Sequence, residues 1–213
     1  MKLYDFAFSP NCRKVRAVAY ELGIRLETVH VDLLHGAQRA PAFLGLNPNG
    51  RVPVLVDGDF VLFESTAIIR YLSGQQSGAL MPVSLRGQAD VDRWLAWQLA
   101  HLGPAMSKVA FERVVKQLTG QGAPDEAAVA VGSAEFATLS ALLDGALKER
   151  DYLAGTLSLA DFALASHYSL APMCGLPLTE YPRVQAWLGR MLARDSMKRA
   201  LADAQAVTRP HAA

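Results

Sequence analysis

A serine and a cysteine stand one helical turn apart at the start of the first predicted helix. The sequence there, Ser9-Pro10-Asn11-Cys12, is a C-x-x-C motif with serine in place of the first cysteine. In C-x-x-C proteins the first thiolate is activated at the helix N-terminus, which favours negative charge. Serine is not acidic enough to act as a base, so Ser9 can serve as a hydrogen-bond donor or as a plain N-cap. Cys12 is predicted to be a small buried hydrophobe, with a redox thiol as the alternative.

Polar residues around a predicted β-hairpin indicate a place where an anion could bind. Ser65 follows Glu64 at the predicted start of a helix, where free backbone N–H groups favour an anion; capping that helix is the alternative role. Arg39 and Arg51 can each bind a carboxylate through the planar guanidinium, with a solvated arginine as the alternative. Val52 precedes a proline, which leaves the Val52 backbone available to a ligand that adds as a strand.

The elements that must position these residues alternate between strands and helices in the first half of the chain. Hydrophobic spacing and turn residues predict strands at Lys2–Phe6 and Leu26–Val31, helices at Ser9–Gly23 and Glu64–Leu72, an interrupted helix at Gly36–Leu46, and a hairpin of Val54–Val56 and Phe60–Phe63. Asp57-Gly58 suits a type I′ turn, in which both central residues have positive φ. The order of elements predicts a thioredoxin-like α/β domain whose first two strands are parallel.

The second half of the chain predicts helices alone. A Gly-, Ser- and Pro-containing stretch suggests a linker at 77–86 between a first domain at 1–76 and an all-helical domain at 87–213. Gly103-Pro104 is expected to interrupt a long helix in the second domain. Ser158 and Asp161 have the spacing of a capping box at the start of another helix.

Composition excludes several classes of function. The 213 residues carry 21 basic and 20 acidic side chains, a net charge of +1, so neither nucleic acid nor an anionic membrane is an expected partner. The five histidines lack metal-ligand spacing, which predicts no metal site. No apolar run is long enough for a transmembrane helix, and no signal peptide is recognisable. Two distant cysteines, Cys12 and Cys174, fit a reducing cytosol and predict a cytoplasmic protein.

The hairpin segment Asn47–Ser65, with the sequence NPNGRVPVLVDGDFVLFES, resembles the glutathione-binding core of the cytosolic glutathione S-transferases. The segment Gly36–Leu44 is similar to the phi class, and Ser9–Arg13 looks like both phi and theta patterns. The chain therefore resembles a phi-like or theta-like transferase of the serine type. The resemblance implies a thioredoxin-like domain followed by a helical domain, a cis peptide bond at Val52-Pro53, and a homodimer that acts in detoxification.

The resemblance also implies a role for each candidate residue, with glutathione as co-substrate. Ser9 would donate a hydrogen bond to the glutathione thiolate as the catalytic residue. Glutathione itself would be bound by Gln38, Arg39, Arg51, Val52, Pro53, Glu64 and Ser65. Among these, Gln38 lies where phi-class proteins usually carry histidine. Ser65 would meet the γ-glutamyl carboxylate and Glu64 the ligand ammonium. An apolar electrophile would lie between the domains, against Phe8, Met106, Phe111 and Tyr168.

Two other functions remain open on the same residues. Glutathione-dependent dehalogenation, isomerisation or peroxide reduction would use the same thiolate, and the acceptor pocket would decide among them. A binding module that kept the fold without catalysis is the non-enzymatic alternative. The joint presence of Ser9, Val52-Pro53 and Glu64-Ser65 favours a transferase that conjugates glutathione to apolar electrophiles.

Overall fold

The structure, a computed structural model, describes residues 1–207 of the chain. Its strands are β1 (Lys2–Asp5), β2 (Glu27–His30), β3 (Val54–Asp57) and β4 (Phe60–Phe63). Its α-helices are α1 (Pro10–Glu21), α2 (Pro41–Leu44), α3 (Ser65–Gln75), α4 (Leu85–Trp97), α5 (Gly103–Ala110), α6 (Lys116–Thr119), α7 (Glu126–Ala146), α8 (Leu159–Tyr168), α9 (Pro182–Ala193) and α10 (Asp195–Val207). A 3-10 turn covers Ala37–Arg39, and π-helical turns cover Gln98–Leu102 and Phe111–Val115.

The four strands found within residues 1–207 form one mixed sheet in the order β2-β1-β3-β4. β1 and β2 are parallel, because α1 returns the chain to the same edge before β2 begins. β3 is antiparallel to both β1 and β4. Leu3, Val54 and Leu55 are buried in this sheet. The predicted thioredoxin-like arrangement is therefore confirmed.

The turn between β3 and β4 differs from the type I′ turn that the sequence predicts. Asp57 pairs with Phe60 and so belongs to the strands, which leaves Gly58-Asp59 as the two-residue connection. Gly58 has φ +62°, and Asp59 is not among the residues with positive φ. A glycine at the first central position is the arrangement of a type II′ turn. The predicted Asp57-Gly58 turn is therefore wrong by one residue, because only the residue without a Cβ takes the left-handed conformation.

The chain divides into two compact units that differ from the predicted domains at the C-terminus. The first unit comprises Met1–Leu80 together with the segment from Ala193 onward, and the second comprises Met81–Leu192. The sequence predicts domains at 1–76 and 87–213 with a linker at 77–86, which places the last helix in the other unit. α10 packs against α1 instead. Helical periodicity identifies an apolar face but does not say which element covers it.

Helices make up the second unit. α4 continues into a π-helical turn, and regular α-helix resumes at Gly103, where Pro104 supplies no N–H to the preceding turn. The expected interruption at Gly103-Pro104 is confirmed. α8 is buried over its whole length, and the carboxylate of Asp161 secures its start. That carboxylate accepts hydrogen bonds from Ser158 N and Oγ at 2.9 Å, Leu153 N at 3.0 Å and Trp187 Nε1 at 2.9 Å.

One described helix, α7, is long and apolar enough to cross a membrane by length and composition alone. In its most apolar window, 28% of the residues are buried. α7 packs against α5 inside the second unit, so its apolar residues have a role in the folded domain. A helix that packs within a soluble core passes the same test of length and composition.

Candidate active site

Ser9 lies at the N-terminus of α1, directly after the turn that leaves β1. Its backbone N–H donates to the Phe6 carbonyl at 2.9 Å, and its Oγ accepts from the Cys12 N–H at 3.4 Å. Ser9 is therefore the N-cap of α1, with φ −66° and ψ 125°. A hydroxyl has one proton and two acceptor lone pairs. Because the Oγ accepts within the cap, the hydroxyl proton can still be donated to an anion at the helix terminus.

The Cys12 thiol is enclosed beneath this cap. Its side chain is fully buried, and its Sγ accepts from the Phe6 N–H at 3.5 Å. Burial raises the pKa of the Cys12 thiol far above its ordinary value, and the nearby Asp5 carboxylate raises it further. A thiol that stays protonated is a poor nucleophile. The geometry agrees with the prediction of a buried apolar cysteine at this position.

Glu64 and Ser65 form the start of α3 in an unusual conformation. Glu64 is exposed and has φ +71° and ψ 106°, a conformation that costs a non-glycine residue about 1–3 kcal/mol. Ser65 is the first residue of α3, and its Oγ donates to Asn11 Oδ1 at 3.3 Å. The N-cap of α3 is Glu64 rather than Ser65, so the capping role considered for Ser65 does not apply. Ser65 instead brings the starts of α1 and α3 together.

The loop that precedes β3 presents an unpaired stretch of backbone. The Val52-Pro53 peptide bond is cis, as the resemblance implies. Asn47 Nδ2 donates to the Arg51 carbonyl at 2.7 Å and fixes this loop from inside. Within residues 1–207, neither the N–H nor the C=O of Val52 has a protein hydrogen-bond partner. An extended ligand can therefore pair with Val52 as an added strand.

Gln38, Arg39 and Gly50 lie close together beside that loop. Gly50 has φ +60°, and a Cβ built on it would lie 3.2 Å from the Gln38 carbonyl and 3.3 Å from Arg39 Nη1. The Gln38 Oε1 atom is buried and has no hydrogen-bond partner within the described residues. Arg39 and Arg51 are both exposed. The structure thus brings the Arg39 guanidinium to the loop of Arg51 and Val52 and leaves a polar Gln38 atom unsatisfied there.

A buried lysine lies under the start of α3. Lys14 is completely buried, and its Nζ donates to Thr66 Oγ1 at 3.2 Å. Burial lowers the pKa of Lys14 to about 7, while the charge of Glu64 acts in the opposite direction. The motifs in the sequence do not point to this residue. Three basic side chains within Arg13–Arg16, on a helix with an otherwise apolar face, are the signal that could have drawn attention to buried charge.

Two of the four residues predicted to contact the electrophile are core residues. Met106 is 2% exposed, and Tyr168 is fully buried with its Oη 3.2 Å from Ser140 Oγ. Their aromatic and methionine character serves packing, which is the commoner use of such residues on helices. Phe8 is half-buried with its ring centroid 5.7 Å from that of Phe6. Phe111 is 43% exposed, so Phe8 and Phe111 are the two candidates whose side chains reach a surface.

Comparison with known proteins finds related sequences over nearly the whole chain. Residues 3–79 match the family described as glutathione S-transferase, N-terminal domain, and residues 102–195 match glutathione S-transferase, C-terminal domain. Glutathione S-transferase 3 of Zea mays is 37% identical over 212 residues, which cover 95% of this chain and 93% of the relative.

Solved structures give the same result. The structure of glutathione S-transferase III in apo form has a TM-score of 0.84 and 38% identity, over 98% of this chain and 97% of the other. Glutathione S-transferase I from mais, solved in complex with an atrazine glutathione conjugate, has a TM-score of 0.85 and 28% identity, over 96% and 97% of the two chains. Sequence motifs, sheet topology and overall similarity lead to one conclusion: the chain belongs to the glutathione S-transferase family.

Proposed function

We propose that this glutathione transferase uses Ser9 to stabilise the thiolate of bound glutathione, which then attacks an apolar electrophile. The observation that carries the proposal is the Ser9 hydroxyl at the N-terminus of α1, with its proton available to an anion. The relative solved with a glutathione conjugate supports glutathione as the co-substrate. The new bond joins the glutathione sulfur to the electrophilic carbon, while the leaving group departs with the electron pair.

The remaining parts of the site match the chemistry of a tripeptide with two carboxylates and one ammonium. Val52 offers unpaired backbone groups to the cysteinyl unit, and Ser65 offers a helix N-terminus to the γ-glutamyl carboxylate. Glu64 is exposed beside Ser65 and suits the ligand ammonium. Arg39 and Arg51 are exposed cations for the glycyl carboxylate.

The energy required of Ser9 is modest. A free thiol has a pKa of about 8.5, and each unit of lowering requires about 1.4 kcal/mol of preferential thiolate stabilisation. A hydrogen bond to a charged group contributes about 1.5–3 kcal/mol. One hydroxyl donor can therefore lower the thiol pKa by about one to two units, to about 6.5–7.5, which raises the thiolate fraction at pH 7 from about 3% to roughly 25–75%.

Replacing Ser9 by alanine tests the proposal. We expect the pKa of bound glutathione, followed by thiolate ultraviolet absorbance against pH, to rise by about one to two units in Ser9→Ala. The rate of conjugation to a model aryl halide should fall about 8- to 25-fold at pH 7, in proportion to the thiolate fraction.

A second capping serine supplies the matched control. Ser84 is the N-cap of α4 and accepts from the Gly87 N–H at 3.2 Å, so Ser84→Ala removes the same kind of cap at another place. Both variants should lose about 0.5–2 kcal/mol of stability, but only Ser9→Ala should change the thiol pKa. If the two variants behave alike and the bound thiol keeps its pKa, Ser9 is a structural cap and the proposal is wrong.

The choice of electrophile sets this function apart from its alternatives. Dehalogenation, isomerisation and peroxide reduction would each begin from the same thiolate, so a panel of halides, epoxides and hydroperoxides distinguishes them. A binding module would be retained on immobilised glutathione yet transfer the thiol to no member of that panel.

Phe8 and Phe111 are the candidate apolar contacts for the electrophile. Replacement of either by alanine should raise KM for the electrophile while leaving glutathione affinity unchanged.

We further propose a cytoplasmic homodimer with a role in detoxification. Two cysteines without a disulfide suit a reducing compartment. The second unit exposes apolar side chains on α7, where Val131 and Leu142 are each 52% exposed. Two-fold homodimers are the commonest soluble oligomers, and an exposed apolar helix face is a suitable surface for one.

A further inference from the structure

A buried guanidinium joins the turn before Ser9 to the C-terminal helix. Arg16 is 2% exposed. Its Nη1 donates to Asp5 Oδ1 at 2.5 Å, and its Nη2 donates to the Ala7 carbonyl at 2.9 Å and the Ala200 carbonyl at 3.2 Å. Its Nε lies 3.1 Å from Asp203 Oδ2, an ion-pair contact without hydrogen-bond geometry. The two terminal nitrogens therefore donate to acceptors from three parts of the first unit, and α10 adds the Asp203 carboxylate as a counter-charge.

The carbonyl that Arg16 binds belongs to the turn that presents Ser9. In this turn the Ser9 N–H donates to the Phe6 carbonyl at 2.9 Å, and Ala7 is the first residue enclosed between them. Ala7 is 4% exposed. Rotation of its peptide plane would change the direction in which the chain reaches the N-cap. The contact with Arg16 opposes that rotation from inside the protein.

The other side of the guanidinium is held by α10. The Ala200 carbonyl and the Asp203 carboxylate both come from this helix, and the Tyr20 hydroxyl also donates to Asp203 Oδ2, at 2.9 Å. A buried charge needs both a counter-charge and hydrogen bonds to be tolerated. Loss of the α10 acceptors would leave Arg16 partly unsatisfied, and its remaining contacts with Asp5 and Ala7 would shift in response.

We propose that Arg16 is a positioning residue for the thiolate site, and that α10 acts through it to set the orientation of the Ser9 hydroxyl. The inference rests on the proposed function, in which Ser9 stabilises the thiolate. It assigns to α10 a part in catalysis, although none of the candidate glutathione-binding residues lies on that helix.

A second ion pair between the same two helices serves as the control. Glu21, at the far end of α1, binds Arg194 and accepts from the Ser196 hydroxyl at 2.5 Å. This pair also fastens α10 to α1, but it lies three helical turns from Ser9 and contacts no residue of the Phe6–Ser9 turn. Glu21→Gln thus removes an attachment of α10 without touching the turn.

The experiment measures the pKa of bound glutathione in the full-length chain carrying Arg16→Lys, Asp203→Asn, Glu21→Gln or Ser9→Ala. Lysine keeps the charge of Arg16 but cannot reach all four acceptors with one ammonium. We expect the pKa of the bound thiol to rise by about 0.5–1 unit in Arg16→Lys, a three- to tenfold loss of the thiolate-to-thiol ratio. Asp203→Asn should give a smaller rise in the same direction, and Glu21→Gln should give none.

Each outcome decides between the two proposals. A rise in thiol pKa with Arg16→Lys and Asp203→Asn but not with Glu21→Gln supports the inference. If Ser9→Ala raises the pKa while Asp203→Asn and Glu21→Gln are equivalent, the inference is overturned and the role of Ser9 stands. If Ser9→Ala itself leaves the pKa unchanged, both proposals are overturned. Should Arg16→Lys fail to fold, Asp203→Asn decides, because its side chain is partly exposed and its replacement is nearly isosteric.

Discussion

Lys14 is a single residue whose burial makes the stability of the protein depend on pH. Burial lowers its pKa in the folded state to about 7 from the ordinary 10.5. Between these values the unfolded chain binds more protons than the folded one, so stability rises with pH across that window. Below about pH 7 both states are protonated and the full cost of burying the charge is present. Above 10.5 both states are neutral and the cost disappears.

Lys14→Met should therefore stabilise the protein near neutral pH. We expect a net gain on the order of 1–3 kcal/mol at pH 7, because the cost of burying the charge exceeds what the polar contacts of the ammonium contribute, the hydrogen bond to Thr66 among them. The difference from wild type should shrink as the pH rises toward 10, in unfolding measured by denaturant titration. Lys198→Met, which removes an exposed lysine, is the control and should leave the pH dependence unchanged. If the free energy of unfolding depends on pH in the same way for Lys14→Met and wild type, Lys14 is not the source of the pH dependence.

At the residue scale the sequence predicts which groups can react but not which groups support them. Ser9, Glu64 and Ser65 stand at recognisable element boundaries; capping chemistry accounts for Ser9, whereas the conformation of Glu64 is not predictable from its residue type. Lys14 and Arg16 interrupt a helical face that periodicity alone would assign to the core. Their partners, Thr66 on α3 and Asp203 on α10, are 52 and 187 positions away along the chain. No local pattern relates residues at that separation, so these contacts emerge only from the packing.

At the element scale, the contact between α5 and α7 depends on a glycine. A Cβ added to Gly132 would lie 2.8 Å from Val109 Cγ2 and 3.0 Å from the Ala105 carbonyl, closer than real side chains pack. Gly145 lies in the same helix with nothing within 4 Å of its added Cβ. Alanine at Gly145 therefore changes helix propensity alone. Alanine at Gly132 changes helix propensity and also needs space that the packed helices do not leave.

Alanine should have opposite effects at these two positions. Gly132→Ala should destabilise the protein by about 1–3 kcal/mol through overpacking, although alanine is the better helix former. Gly145→Ala should stabilise it by about 0.5–1 kcal/mol. In differential scanning calorimetry each kcal/mol corresponds to a shift of about 2–4 °C in Tm for a chain of this size. An equal rise in Tm for both variants would show that α5 and α7 are not closely packed at Gly132.

The contrast between local chemistry and tertiary packing also explains which elements can be predicted from the sequence. The strands and most helices follow from periodicity, and the start of α8 follows from the Ser158–Asp161 spacing. The hairpin turn was misplaced by one residue, since Asp57-Gly58 and Gly58-Asp59 both suit turn chemistry and the register of β3 against β4 decides between them. α10 has a clear apolar face, yet only the folded chain shows that α1 covers it. Local chemistry determines the elements, while packing determines their partners.

At the scale of the whole molecule, an exposed apolar face of the second unit is the surface that we assign to the proposed homodimer. Val131 and Leu142 are separated by eleven residues, about three helical turns, and so lie on one face of α7. A cavity of about 420 Å³ adjoins this face, lined by Ala100, His101, Pro104, Lys108, Glu135, Thr138 and Leu139. Lys108 and Glu135 form an ion pair at 2.7 Å within it. Apolar side chains around a paired charge suit a self-complementary surface.

A charge placed on this face should dissociate the proposed homodimer. Leu142→Glu would bury one carboxylate per protomer in the interface. Because two copies meet at a two-fold axis, each dimer incurs the desolvation cost of two carboxylates. A cost of about 1.4 kcal/mol per copy already weakens association about 100-fold. Sedimentation equilibrium should show a dimer for wild type and mostly monomer for Leu142→Glu at micromolar concentration. Leu118→Glu changes an equally exposed leucine on α6, at 58% exposure, and should leave the dimer intact. Dissociation by both variants, or a monomeric wild type, would remove α7 as the interface.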